Sequence, residues 1–301
     1  MIAWALEPLR YGFMQRGLLA SLLVGILCAV VGCYIVLRSM AFLGDALAHA
    51  ILPGIAVAYL LKVDLLIGAL VAALLVALGI AAISHRGVIR EDTAIGILFA
   101  AALSLGVALI SRMKSYAVDL THILFGHVLG VGVRDLWLIG ALGAVVLLVI
   151  VLLFKEFLVV SFDPVLAATL RLPAGRLRLL LLVLLALTVV VSLQTVGVGL
   201  VAAMLVTPGA TAYLLTHRLA PMMGLSAAIG AASAVAGLYF SYYGNVPSGP
   251  AIVLVATVFF LLAFAFSPKR GVFWAYLRRR GWRNRHGGPE GPCAGQGPLR
   301  S

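Results

Sequence analysis

The sequence has 301 residues, of which 63% are hydrophobic and 11% are charged, and its formal net charge is +12. Soluble globular chains contain about 25% charged residues, so this composition excludes a soluble domain and indicates a polytopic membrane protein. A transmembrane β-barrel is excluded because the sequence lacks short segments of alternating polarity. The cations lie at the ends of apolar runs and in the C-terminal tail. That placement favours membrane orientation over binding to nucleic acid.

Nine apolar runs are long enough to cross a lipid bilayer as helices, since about 20 residues span its hydrocarbon core. They lie at 17–37, 43–61, 64–83, 93–111, 136–157, 178–196, 198–215, 223–243 and 250–267. Residues 1–16 mix aromatic and charged side chains and are predicted to form an interfacial segment. We therefore predict an all-α membrane domain over 17–268, followed by a basic, disordered tail over 269–301.

Lysine and arginine near the ends of spans set the orientation, because they concentrate on the cytoplasmic side. The tail carries seven of them between Lys269 and Arg285, which predicts a cytoplasmic C-terminus. Counting back nine spans places the N-terminus outside. The same count puts these further arginines in the cytoplasm: Arg86, Arg90, Arg171, Arg176, Arg178 and Arg218. Three cations oppose this orientation: Arg112, Lys114 and Arg134.

Three local features interrupt the pattern of spans. Only the glycines Gly197 and Gly199 separate the sixth span from the seventh. The sequence Thr207-Pro208-Gly209 predicts a kinked or interrupted seventh span. Residues 161–171 lie outside any span and predict a short helix, with Asp163 suited to the N-cap and Pro164 to the first helical position. That helix fits either a docking surface for a soluble partner or an ordinary interfacial helix.

The most informative polar residues are Asp45 and His49, which lie inside the second apolar run. A spacing of four residues places them on one face of a helix. Ionisable groups in the hydrocarbon are costly and therefore indicate function. The alternative is a structural ion pair or hydrogen bond that fixes two helices. Asp and His together are also ligands for divalent first-row metals.

The other polar residues have simpler interpretations. Glu91 and Asp92 precede the fourth span, and we expect them to cap its N-terminus, where the helix dipole favours negative charge. His122 and His127 lie in a polar connection at a spacing that does not share a helix face, which favours solvated side chains. The sequence contains no hydrolase, zinc-protease or phosphate-loop motif, so a nucleotide site would have to lie on another chain.

One helix supplies only one carboxylate and one imidazole. A two-fold dimer with this helix near its axis would supply two of each, a set of oxygen and nitrogen ligands that suits Zn²⁺ or Mn²⁺. The pair contains no thiolate, which fits a conduit that must release its ion. The sequence therefore favours a metal-transporting dimer.

Several motifs resemble those of the permeases of zinc, manganese and iron ABC importers. The run at 32–54 reads GCYIVLRSMAFLGDALAHAILPG, which resembles the family's signature. The match continues with REDTAIG at 90–96, LFG at 124–126, FDP at 162–164, VGVGLV at 196–201 and MLVTPGATA at 204–212. It covers roughly residues 10–268. Two positions depart from the pattern, Ala48 where serine is common and Thr207 where isoleucine is common.

The resemblance implies a type II ABC-importer-like permease in the bacterial plasma membrane that works as a homodimer or with a close paralogue. By the same resemblance, Asp45 and His49 match the positions associated with metal passage. The helix over 163–170 matches the segment that couples to a cytoplasmic ATPase, with Asp163, Pro164, Ala167 and Leu170 as the coupling residues. An extracytoplasmic metal-binding protein would deliver Zn²⁺ or Mn²⁺, with Fe²⁺ a further candidate. ATP would bind to the partner, and no cofactor would be held permanently.

Two rival functions stay open. A proton-coupled secondary metal transporter would use Asp45 as its proton site and need no ATPase. An ABC permease for chelated iron, haem or a vitamin would share the architecture, but its cargo gives no reason for an Asp and a His at helical spacing. The favoured prediction is a non-enzymatic transport subunit that moves a divalent metal inward.

Overall fold

The computed structural model describes residues 7–85, 89–112, 128–162, 164–216 and 218–267, and within them the regular elements are helices. The principal helices are α1 (Gly12–Leu37), α2 (Phe42–Ala50), α3 (Leu52–Leu60), α4 (Leu65–His85), α5 (Glu91–Ile110), α6 (Val133–Leu152), α7 (Phe154–Phe162), α8 (Pro164–Thr169), α9 (Ala174–Val196), α10 (Val198–Leu215), α11 (Leu219–Gly244) and α12 (Ser248–Phe266). Short 3₁₀ turns lie at Pro8–Arg10 and Val128–Gly130. The predicted tail over 269–301 and residues 1–6 lie outside the described ranges.

Nine helical segments of the described ranges are long and apolar enough to cross a membrane. One of them combines α2 and α3 (Phe42–Leu60), and the others are α1, α4, α5, α6 and α9 to α12. This confirms the nine predicted spans and the all-α fold. α1 begins at Gly12, inside the segment that the sequence predicted as interfacial. Arg16 is accommodated in its first turns because its guanidinium donates to the carbonyl of Gly12, at 3.2 Å.

The central element of the bundle is α1, which packs against α6, α9, α10 and α11. Its surface is lined with small residues where the neighbouring backbones approach most closely. A Cβ atom at Gly32 would collide with the carbonyl oxygen of Leu205 in α10, and one at Gly25 would lie 3.0 Å from that of Gly230 in α11. Helices in lipid associate largely through such van der Waals packing, for which small residues are needed.

The division between the sixth and seventh spans falls at Gly197, as the sequence predicted. Gly197 has φ 79° and ψ 163°, so the chain turns out of α9 at a backbone conformation that favours glycine. The helix ends there although the residues on both sides are largely apolar. This single residue therefore separates α9 from α10.

Pro208 lies inside α10, which runs without interruption from Val198 to Leu215. The interruption that the sequence allowed at this proline is therefore absent from α10. A proline removes one backbone donor from the helix ladder. Three residues on, the Thr211 hydroxyl donates to the carbonyl of Thr207, at 2.7 Å, and adds a hydrogen bond to this turn. Both Pro208 and Thr211 are buried, so packing holds the helix together here.

We expect Gly32→Ala to destabilise the bundle, because the added Cβ would meet the backbone of Leu205 rather than a flexible side chain. The loss should be about 3 kcal/mol, the upper end for overpacked sites. The midpoint of thermal unfolding in detergent measures this effect. Gly140→Ala is the control, since nothing lies within 4 Å of a Cβ atom at that position of α6. Equal midpoints for the two variants would contradict the close approach of α1 and α10.

Candidate metal site

Asp45 and His49 lie on one face of α2, as their spacing predicted. The imidazole Nε2 of His49 is 3.6 Å from the carboxylate Oδ1 of Asp45. This distance is longer than a hydrogen bond, so the two groups are near neighbours without being tied to each other. Because both residues belong to α2, their mutual contact lies within one helix.

Both side chains of the pair are partly exposed in the single chain. The exposed fraction is 40% for the Asp45 side chain and 26% for that of His49, whereas Leu47 and Ala48 between them are fully buried. The buried face of α2 packs against α10, where Leu205 meets Gly44. The pair is therefore held on a fixed helix but presented to its outer side.

A proline interrupts the helix just beyond the pair. The sequence predicted one span over 43–61, but α2 ends at Ala50 and α3 begins at Leu52, with Pro53 in its first turn. Pro53 has no N–H to donate to the carbonyl of His49, four residues earlier. Ile51 keeps helical dihedral angles, φ −75° and ψ −23°, and α2 and α3 together form one segment long enough to cross a membrane. The ladder of hydrogen bonds is thus broken at the carbonyl of His49.

The imidazole of His49 lies against an aromatic side chain of α5. The ring of Phe99 meets that of His49 edge to face, with centroids 6.0 Å apart, and also packs on Phe42 at 5.3 Å. Phe99 therefore restricts the orientation of the histidine ring. Sequence reasoning missed this residue, because one phenylalanine in an apolar helix is indistinguishable from ordinary packing.

Asp45 and His49 are only two side chains, fewer than a protein metal site usually has. Within the described residues, no group of three or more His, Cys, Asp or Glu side chains lies close enough together to hold a metal ion. Zn²⁺ sites in proteins normally have three or four protein ligands. Asp45 and His49 supply two. His122 and His127 lie outside the described residues.

A second polar cluster lies where α1 ends and α5 and α9 begin. The carboxylate of Glu91 accepts from Arg178 Nε at 2.7 Å and lies 2.6 Å from Arg178 Nη2. Its Oε2 atom is also 3.6 Å from Arg38 Nη2. Glu91 and Asp92 are in the first turn of α5, as predicted, and the side-chain partners of Glu91 are two arginines. Sequence reasoning missed these partners because Arg178 is 87 positions away.

The predicted coupling segment is a short helix between two longer ones. Pro164 begins α8 (Pro164–Thr169), as expected, whereas Asp163 lies outside the described residues. Ala167 is fully buried and Leu170, just after the helix, is 56% exposed. Of these two residues, only Leu170 presents its side chain outward.

Known proteins resemble this chain over almost its whole length. Residues 10–267 match the model of the ABC 3 transport family. The chain belongs to this family. It is 50% identical over 272 residues to the manganese transport system membrane protein MntC of Halalkalibacterium halodurans. The aligned region covers 90% of this chain and 93% of that protein. It is 45% identical over 261 residues to the manganese import system permease protein ScaB of Streptococcus parasanguinis, covering 87% and 93%.

A solved structure supports the same family. The structure described as PsaBC from Streptococcus pneumoniae in complex with Fab contains a chain that is 43% identical to this one. The two superpose with a TM-score of 0.81, over 93% of this chain and 100% of that one. Membership of the ABC 3 transport family confirms the predicted permease architecture. The chain is therefore a multi-pass, non-enzymatic membrane subunit of a metal importer.

Proposed function

We propose that this permease passes Mn²⁺ inward through a conduit between two permease copies, driven by ATP hydrolysis on a separate cytoplasmic subunit. Zn²⁺ is the second candidate cargo. The observation that carries the proposal is the Asp45–His49 pair, two ionisable side chains that lie 3.6 Å apart and partly exposed on an apolar helix. The names of the relatives above, which are manganese permeases, favour Mn²⁺. Carboxylate ligands suit Mn²⁺, and the absence of a thiolate from the pair disfavours tight retention of softer metals.

The depth of the pair supports a role in transport. His49 is seven residues after Phe42 and eleven before Leu60 in the second span. At the helical rise per residue it therefore lies about 10 Å and about 16 Å from the two ends of that span. Asp45, three residues after Phe42, lies about 4 to 5 Å from the nearer end. A carboxylate facing lipid there would be costly. A second copy of the chain that covers this face removes the cost and completes the ligand set.

ATP is bound and hydrolysed by a different subunit, and this hydrolysis drives transport through the permease. The sequence has no phosphate-binding loop, so hydrolysis belongs to a partner ATPase. The surface offered to that partner is α8 with Leu170, on the cytoplasmic side in the orientation that places the C-terminus inside. An extracytoplasmic protein that binds the metal would deliver it at the opposite end. Asp163 and Pro164 begin the coupling segment, as the family resemblance implies.

We expect Asp45→Asn and His49→Gln each to weaken Mn²⁺ binding to the purified permease by more than about tenfold, because substitutions in the second shell alone have effects of that size. Titration calorimetry of the detergent-solubilised dimer measures the change. Asp64→Asn is the control: Asp64 accepts from the backbone N–H of Leu66, at 2.9 Å, and asparagine preserves such a cap. Unchanged affinity in both site variants would refute the proposed site, and tighter binding of Zn²⁺ than of Mn²⁺ would reverse the order of the cargo candidates.

We expect Leu170→Ala to weaken association with the partner ATPase by about 1 to 2 kcal/mol, the effect of truncating an apolar anchor at an interface. Metal binding should be unchanged, because Leu170 lies outside the Asp45–His49 site. Co-purification of the permease and the ATPase over a range of ATPase concentrations measures the effect. The control is Leu215→Ala, which truncates another exposed leucine at the end of α10. If both variants retain the ATPase equally well, α8 is not the docking helix.

A further inference from the structure

Three helices meet at the carboxylate of Glu91. Arg38 follows the last residue of α1 and stands four positions before the start of α2, the helix that carries Asp45 and His49. Arg178 is in the first turns of α9, the helix that follows α8. The two arginines therefore belong to the segments adjoining the candidate metal site and the proposed ATPase-docking helix. Glu91 joins them from the start of α5.

The two arginines share Glu91 unequally. Arg178 forms a two-pronged contact, at 2.7 Å and 2.6 Å, whereas the approach of Arg38 is 3.6 Å. The Nη1 atom of Arg38 is buried and makes no hydrogen bond within the described residues. Burial lowers the pKa of the Arg38 guanidinium, the carboxylate of Glu91 opposes that shift, and Arg178 adds to it. The cluster thus has one arginine held by two short contacts and one held by a single longer contact, with its Nη1 atom left without a hydrogen bond in the described residues.

The connections on both sides of the cluster are tight. Ser39, with φ 56°, links α1 to the turn before α2, and the N–H of Met40 donates back to the carbonyl of Ile35 at 3.0 Å. Arg171, with φ 54°, follows α8 in the same way, and the N–H of Leu172 donates to the carbonyl of Ala167 at 3.0 Å. Such left-handed closures at helix C-termini fix the direction of the chain. We therefore expect a displacement of α1 or α8 to move the segment that follows it, instead of being taken up by a flexible connection.

We propose that Glu91 is a positioning residue for transport, which ties the ATPase-facing segment α8–α9 to the turn that places the metal-bearing helix α2. The inference rests on the proposed function. Movement of α9 shifts the two N–H donors of Arg178 that contact Glu91. The carboxylate of Glu91 then exchanges from Arg178 to Arg38, which has the weaker contact in this arrangement. This exchange gives the cluster two discrete arrangements, which is the physical requirement for coupling between distant sites. Removal of the carboxylate leaves two partly buried guanidinium groups without their shared counter-charge.

The test uses the permease together with its ATPase and metal-binding protein in lipid vesicles, with Mn²⁺ as the probe. We expect Glu91→Gln to lower Mn²⁺ uptake per ATP hydrolysed by about tenfold, within the range of substitutions along coupling networks. Mn²⁺ affinity of the solubilised permease should be unchanged. A merely structural role would lower the midpoint of thermal unfolding and leave the ratio of uptake to hydrolysis as it was. The matched control is Asp92→Asn, which removes the neighbouring charge at the exposed position of the same helix turn.

Each outcome decides between the proposals. Wild-type vesicles without ATP-dependent Mn²⁺ uptake would overturn the proposed function, and this inference with it. Normal wild-type uptake together with an unchanged ratio in Glu91→Gln would overturn the inference alone, as would an equal effect of Asp92→Asn. If Glu91→Gln does not fold, Arg178→Lys replaces it, because lysine keeps the charge but loses the fork of parallel N–H donors. A wild-type ratio in Arg178→Lys would again overturn the inference.

Discussion

The close approach of α1 to its neighbours is the constraint on which the rest of the structure depends. Lipid tails are as apolar as leucine, so a hydrophobic helix face gains little free energy by contacting another helix instead of lipid, and it does not select a particular neighbour. Gly32 and Gly25 determine which helices pack on α1, because they let the backbones of α10 and α11 come nearer than any side chain would allow. Because α1 is fixed between these two helices, the position of Arg38, just after its last turn, is fixed as well. The connection to α2 begins at that residue.

The two polar clusters of the bundle are built in opposite ways, and this contrast bears on their roles. Glu91 has both oxygens engaged by arginines from two other helices, so its charge is neutralised inside the chain. Asp45 and His49 share one helix, lie farther apart than a hydrogen bond and are partly exposed. The first arrangement joins segments of the chain to one another. The second leaves ligand positions open, as a site needs if it binds and releases an ion.

Features that are determined by residues close together in the sequence could be predicted from it, whereas features that depend on tertiary packing could not. The nine spans and the shared face of Asp45 and His49 are local, since they follow from segment length and helical period. The break at Gly197 was also local. The split at Ile51 was readable in principle, because Pro53 removes a donor, but the length of the apolar run favoured one helix over 43–61. Phe99 and the partners of Glu91 were missed because only tertiary packing brings them together.

The exposure of the Asp45–His49 pair also bears on the rival of a self-sufficient proton-coupled carrier. Such a carrier would close its proton site within one chain, with the carboxylate reached through a path of its own polar groups. In the described residues the partners next to Asp45 and His49 are each other and the aromatic ring of Phe99. An aromatic edge restricts the imidazole but relays no proton. In the proposed function the further ligands come from a second copy of the chain, since two-fold symmetry lets the same two residues serve twice.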